Sequence, residues 1–385
     1  MPAINYDRWT FLLTLLLAAA LCSVVAAAVA AGAGSFRPGE LWPDSNGVHI
    51  NAHGGGVLYH DGVYYWFGES RERGTKGVSC YSSKDLYNWT DEGLALAVVT
   101  DNPKSEIAAG NVIERPKVIY NRKTSKFVMW FHTELRGQGY NAARTSVAVS
   151  DKVKGPYTLV RSFRPNAGTW PLNLPEEQRT GPIPQGNLSQ GGKEWLDANQ
   201  SGAIVRRDFK DGQMSRDMGL FVDDDGAAYH IHASEENGTL HISQLSGDYL
   251  SFSDKWVRAF PGGHNEAPAV FKWKGKYYMI TSGCTGWTPN AARSAVADSM
   301  LGEWRTLGNP VRGTKEQTDS TFESQSTYVL PVQGKPGAFI FMADRWRPQN
   351  HPDGRYIWLP IQWEGDKPVL KWMEEWSLNS FEGKP

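Results

Sequence analysis

The chain has 385 residues, a net charge of −1, and many Trp (16), Tyr (15), Phe (15) and Gly (40) residues. Near-neutral charge without a basic run lacks the electrostatic footprint of a nucleic-acid binder, and three cysteines in so long a chain exclude a disulfide-built scaffold. Aromatic strands punctuated by glycine-rich turns instead point to an all-β protein with aromatic-lined surfaces.

Residues 1–33 read as an export segment. Arg8 precedes the apolar run Phe11-Leu12-Leu13-Thr14-Leu15-Leu16-Leu17, and an alanine-rich stretch ends at Ala33. That is the order of a secretory signal, with cleavage expected near Ala31 to Ala33. The run from Phe11 to about Ala31 is also long enough to span a bilayer, so an uncleaved anchor is the alternative. The protein is therefore expected to be secreted, extracellular or periplasmic, with a membrane involved only through such an anchor. Cys80 and Cys284 then remain; an oxidising compartment permits a bridge, but the spacing gives no sign of one, and two free thiols are an equal reading.

A hairpin-plus-strand unit then recurs. Val57-Leu58-Tyr59, the turn Asp61-Gly62, and Val63 to Phe67 read as strand, tight turn, strand. Similar units start at Lys117-Val118-Ile119-Tyr120, Gly219-Leu220-Phe221-Val222, Ala269-Val270-Phe271 and Thr327-Tyr328-Val329-Leu330. Small sheets repeated in this way cannot bury their faces singly, and a ring of them leaves few exposed edges. The expectation is a five-bladed β-propeller over residues 34–385, forming a single catalytic domain. A two-sheet sandwich is the alternative. Pro165, Pro171, Pro175, Pro182 and Pro184 mark an insertion at about 164–201, expected as a long surface loop.

In a propeller the first strand of every blade lines the axis, so strand starts converge. Glu114 precedes Arg115-Pro116-Lys117, Asp217 precedes Met218-Gly219-Leu220, and Glu266 precedes Ala267-Pro268-Ala269. Glu323 in Glu323-Ser324-Gln325-Ser326 holds that place in the fifth unit, and the first offers only Asn51-Ala52-His53. Singly, each acid reads as a capped or salt-bridged surface residue. Three at equivalent positions read as converging carboxylates whose pKa values are pushed apart, as glycoside hydrolysis needs. Pro268 disfavours helix for the residue before it, so the segment at Glu266 is expected to be extended as it enters a strand.

Taken together, Glu114-Arg115-Pro116-Lys117-Val118-Ile119-Tyr120-Asn121, Ser215-Arg216-Asp217-Met218, Glu266-Ala267-Pro268-Ala269 and Ser324-Gln325-Ser326-Thr327 resemble family 43 of the glycoside hydrolases, and within it the exo-β-1,3-galactanase branch. The resemblance covers about Asn51 to Trp376. It implies a five-bladed propeller and inverting hydrolysis, with Glu266 as general acid and Asp217 raising and orienting it. Most of that family carries an aspartate base in the first blade. Here Asn51-Ala52-His53 stands in that region, a departure that the galactanase branch shares. In that branch a glutamine matching Gln325 holds the attacking water, and the residue matching Glu114 grips the sugar. An amide lacks basicity at pH 7, so Glu114 or Glu323 stands as the competing base.

Trp287, Trp346 and Tyr140 lie on loops suited to stacking on a sugar, and His53, in a glycine-rich loop, is a further lining residue. Neither His230-Ile231-His232 nor Asp223-Asp224-Asp225-Gly226 makes a metal site, and no cofactor is implied. The expected partner is a polysaccharide or oligosaccharide, β-1,3-galactan such as the arabinogalactan backbone, attacked exo-wise to release galactose; no protein partner is implied. An arabinofuranosidase or xylosidase of the same family and a non-catalytic carbohydrate-binding propeller are the alternatives.

Overall fold

Two-residue turns set the strand pattern. Asp61 and Gly62 both take positive φ, 48° and 83°, as a type I′ turn requires. They reverse the chain so that His60 faces Val63. Lys274 and Gly275 (φ 48° and 76°) do the same between Trp273 and Lys276. The computed structural model describes residues 34–71 and 75–382; the expected export segment, 1–33, lies outside the described residues.

Sheet one is β1 (His53–His60), β2 (Val63–Arg71), β3 (Thr75–Ser83) and β4 (Thr90–Ala97). Sheet two is β5 (Val112–Asn121), β6 (Lys126–Glu134), β7 (Arg144–Ser150) and β8 (Thr158–Phe163). Sheet three is β9 (Met218–Val222), β10 (Ala228–Ser234), β11 (Thr239–Leu245) and β12 (Phe252–Ala259). Sheet four is β13 (Asn265–Trp273), β14 (Lys276–Gly283), β15 (Arg293–Ala297) and β16 (Arg305–Gly308). The short strand β17 (Val311–Arg312) follows, then sheet five: β18 (Gln325–Pro331), β19 (Phe339–Arg345) and β20 (Arg355–Pro360). Strands β21 (Gln362–Glu364) and β22 (Lys367–Lys371) complete the set.

The expectation of a five-bladed propeller is corrected: the described residues form a propeller fold of six sheets. The sixth is β17-β22-β21, with β17 parallel to β22 and β21 antiparallel to it. It arises because the chain leaving β20 turns back on itself, and β17, from before sheet five, joins its edge. The sheet lies against β20 through β22. First strands meet in turn, β1 with β5, β5 with β9, β9 with β13, β13 with β18 and β18 with β1. Their starts thus gather at one end of an axis.

Apolar side chains fill the wedges between sheets. Trp66, Trp89 and Trp358 are fully buried together with Phe36 and Trp376. Phe36 stacks on Trp376 at 4.3 Å, and their backbones exchange two hydrogen bonds. The two ends of the described chain are thereby tied together beside sheet one. The stretch at 164–201 ends in α1 (Lys193–Gln200), followed by α2 (Ala203–Arg207). Trp195 and Ala198 of α1 bury against Leu188, Ala203 and Ile204, so this insertion carries a small apolar core of its own.

One backbone irregularity recurs where it matters. The first strands β1, β5, β13 and β18 each carry a register shift near their start, at His53/Gly56, Glu114/Lys117, Glu266/Ala269 and Ser326/Tyr328. Arg115 and Ala267 sit inside two of these bulges with φ of 55° and 53°. Bulges re-aim side chains and occur beside active sites, and left-handed backbone at non-glycine residues is strain that surrounding structure must hold in place. Glu266 does lie in a strand, as expected, but Ala267 before Pro268 is left-handed rather than extended.

Candidate active site

The bulges turn Glu114, Arg115 and Glu266 toward the gathered strand starts. Arg115 is the hub. Its backbone N–H donates to Glu69 Oε1 at 2.9 Å, and Nη1 donates to the Ser326 carbonyl at 3.0 Å. Nη2 reaches Asp217 Oδ2 at 2.8 Å and Gln325 Oε1 at 2.6 Å. Through its backbone N–H and its buried guanidinium, this one residue joins sheets one, two and five to the loop before sheet three. The Trp346 indole N–H donates to the same Gln325 oxygen at 2.9 Å, and Gln325 Nε2 donates to Ser282 Oγ at 2.9 Å. Ser282 is the register partner of Glu266 across β13 and β14, which places Gln325 and Glu266 around one pit.

The acids here have sharply different proton affinities. Burial raises Glu266 to about 7, helped by the charge of Asp217, while the Cys284 thiol, Arg115 and Arg216 oppose the rise. Burial also acts on Glu114, but it is outweighed. Arg71 Nη2 and the Tyr140 hydroxyl each donate to its Oε1 at 2.8 Å, and His132 Nδ1 donates to Oε2 at 3.1 Å. These partners hold Glu114 well below the ordinary carboxylate range. Although burial opposes it, His132 is raised to about 9 by its bonds to Glu114 and Glu134, so near neutral pH it is an imidazolium between two carboxylates. Glu69, which accepts from Arg71 Nε at 2.5 Å, is raised by burial, with the Glu114 charge adding to it. Burial likewise lifts Asp344 to about 7 against the Gly54 N–H and Arg115. A carboxyl protonated near neutrality beside one held ionised is the electrostatic pattern of acid-catalysed glycoside cleavage.

The pattern has a pH consequence. The Glu266 carboxyl must hold its proton to act as an acid, so kcat/KM should fall as pH rises through about 7. Asp217→Asn removes a negative charge that supports that proton. The alkaline limb should move to lower pH, with activity lost at pH 7. A pH–rate profile in which the limb stays in place would show that Asp217 works otherwise.

The model of "Glycosyl hydrolases family 43" matches residues 193–368. A family 43 β-1,3-galactosidase solved with galactodeoxynojirimycin is 54% identical, with a TM-score of 0.83, over 89% of this chain and 100% of its own. The chain belongs to glycosyl hydrolase family 43. An exo-β-1,3-galactanase from Clostridium thermocellum is 36% identical over 89% of this chain and 66% of its own, with a TM-score of 0.72. A variant of one from Phanerochaete chrysosporium, solved with β-1,3-galactotriose, is 31% identical over 90% of this chain and 68% of its own, with a TM-score of 0.71. A search of curated proteins found no match.

Within this family 43 hydrolase, the structure brings together Glu114, Asp217, Glu266, Gln325, Tyr140 and Trp346 from the sequence-predicted set. Trp287 stands at the rim, 41% exposed, edge-on to Trp346 at 5.4 Å and facing the Arg71 guanidinium at 5.7 Å. His53 is buried, stacked on Tyr356 at 5.5 Å, with both ring nitrogens lacking a hydrogen-bond partner among the described residues. Glu323 stands apart, exposed to solvent and paired with Arg345. Cys80 and Cys284 are both free.

Sequence reasoning passed over Glu69, Arg71, Asp344 and the role of Arg115. Arg115 lay inside the quoted Glu-Arg-Pro motif, and a cation directly following a candidate acid was the available signal. Glu69 and Asp344 lie near the ends of the second strands β2 and β19, where nothing in the repeat set them apart. Arg216 also belongs to the site. It holds the Tyr140 carbonyl through Nη2 at 2.7 Å and Asn237 Oδ1 through Nη1 at 3.1 Å. Asn237 in turn donates to Cys284 Sγ at 3.5 Å, and the Cys284 thiol donates to Gln190 Oε1 at 3.9 Å while lying close enough to Glu266 to oppose the rise of its pKa.

Proposed function

We propose that this enzyme is a secreted, inverting exo-β-1,3-galactosidase that releases galactose from β-1,3-galactan, such as the backbone of arabinogalactan. The observation that carries the reading is the pairing of Glu266, lifted to about 7, with Gln325 clamped across the pit by Arg115, Trp346 and Ser282. A protonated carboxyl donates to the leaving oxygen, and a fixed polar group opposite it holds the water that attacks the anomeric carbon. Inversion needs room for that water between the two groups. The 54% identical β-1,3-galactosidase and the two exo-β-1,3-galactanases favour β-1,3-linked galactose over other sugars.

In this mechanism Glu114 is a sugar-binding group. Its lone pairs already accept from Arg71, Tyr140 and His132, and its depressed pKa makes it a poor proton acceptor. Trp287 and Trp346 supply the apolar faces on which a sugar ring stacks. Incubation with β-1,3-, β-1,4- and β-1,6-galactobiose and with aryl arabinofuranoside and xyloside tests the reading. Turnover of the β-1,3 isomer alone, with α-galactose appearing first by proton NMR, is expected. Preference for a pentoside, or β-galactose as first product, would overturn it.

A further inference from the structure

A second cleft opens beside the proton donor. It has a volume of about 610 Å3, and its walls include His264, Asn265, Cys284, Thr285, Asn290 and Arg293. That size falls within the range of about 300–1,000 Å3 typical of small-ligand sites. Cys284 is shared between the cleft and the catalytic centre: it lines the cleft, and it lies close enough to Glu266 to oppose the rise of its pKa. His264 belongs to the loop that leads into Glu266, and its ring meets Gln190 of the insertion at 3.4 Å. The cleft therefore adjoins the strand start that carries Glu266, the proton donor of the proposed mechanism.

Its charge is one-sided. No aspartate or glutamate is among the lining residues. Arg293 makes no ion pair among the described residues, and burial alone lowers its pKa, without a carboxylate to counter the effect. Its Nη1 donates to the Gly263 carbonyl and to Asn265 Oδ1, holding the loop before Glu266. Its Nε and Nη2 have no hydrogen bond among the described residues. A guanidinium with spare N–H donors at an acid-free cleft suits a planar carboxylate, which it can bind through two parallel hydrogen bonds. Nearby His264 is kept neutral by burial and by the Arg293 charge, and so offers a hydrogen bond without a competing charge.

We propose that this cleft is a subsite for a uronate, a carboxylate-bearing sugar branching from the galactan on the leaving-group side of the scissile bond. The inference rests on the proposed galactanase activity and deepens it: the enzyme would favour acidic branches next to the bond it cuts.

The test uses two β-1,3-galactobioses of equal bulk, one carrying a 6-linked glucuronate on its reducing galactose and one a 6-linked glucose. The wild-type enzyme should prefer the glucuronate-bearing substrate by about tenfold in kcat/KM, and added salt should reduce the preference. Arg293→Gln should bring the ratio of the two kcat/KM values close to one, while Arg293→Lys, which keeps the charge but not the two-pronged contact, should keep only part of it. A wild-type ratio near one, or a ratio unchanged in Arg293→Gln while both substrates slow equally, would show that Arg293 is only a loop clamp and would overturn the subsite. Calorimetric titration with methyl glucuronide and methyl glucoside probes the cleft without turnover. Tighter glucuronide binding that Arg293→Gln abolishes supports the subsite even where galactobiose is not cleaved, and equal binding overturns it; failure to cleave galactobiose counts only against the galactanase reading.

Discussion

Glu266→Gln is expected to lower kcat on β-1,3-galactobiose by roughly 10²–10⁴-fold, the range associated with general acid–base catalysis, while leaving galactose affinity nearly unchanged. The carboxyl sits in a partly buried position where burial and Asp217 together keep it protonated near pH 7. An amide has the same shape, so the pit should keep its form, but it has no acidic proton to give. The loss should therefore scale with the leaving group. An aryl galactoside such as dinitrophenyl β-galactoside departs without protonation, and Glu266→Gln should hydrolyse it at a rate close to that of the wild-type enzyme. The alkaline limb near pH 7 should vanish from the profile of the variant at the same time. Equal losses on the aryl galactoside and on the disaccharide would remove Glu266 from the role of proton donor and leave it a binding residue.

Parts of this fold are legible in the sequence because their signals are local. Asp61-Gly62 and Lys274-Gly275 occupy turns where both residues take positive φ, and the flanking aromatic and β-branched runs can only be strands. The sixth sheet had no such signal. Strand β17 has two residues and β21 three, too few for any periodicity to register. The pairing of Val311 with Leu370 is parallel and joins distant parts of the chain. The acids at equivalent repeat positions were readable for a physical reason: first strands share an axis, so equivalent positions converge. What could not be read was which acid would be protonated. Glu114 and Glu266 look alike in sequence, each followed by one residue, a proline and a strand. They differ because Arg71 and His132 face one, while the other faces Asp217 and a thiol. Those partners come from β2, β6, the loop before β9 and the loop after β14, and only folding brings them together.

Gln325→Ala carries the second large expectation, a fall in kcat of roughly 10²–10³-fold, comparable to removing one preorganised hydrogen-bond donor from a transition state. The orientation of this amide is settled by its neighbours. Arg115 and the Trp346 indole can only donate, so the atom they share at 2.6 and 2.9 Å must be the carbonyl oxygen. Nε2 then donates one proton to Ser282 and retains a second. Two N–H groups aimed at Oε1 disfavour a tautomer with a proton on that oxygen. In the proposed mechanism Gln325 is thus suited to be a rigid positioner of water rather than a base. Alanine removes the positioner but leaves Glu266 and its proton in place. Azide, an anion that needs no deprotonation to attack, should therefore restore turnover of aryl galactoside in Gln325→Ala and form an α-galactosyl azide. It should not restore disaccharide cleavage in Glu266→Gln, whose defect lies on the leaving-group side. Activity of Gln325→Ala within a few-fold of wild type would exclude the glutamine as the water holder. Because Glu114 is held too acidic to take its place, the search for the proton acceptor would then turn to Asp344, buried beside Arg115 and raised to about 7.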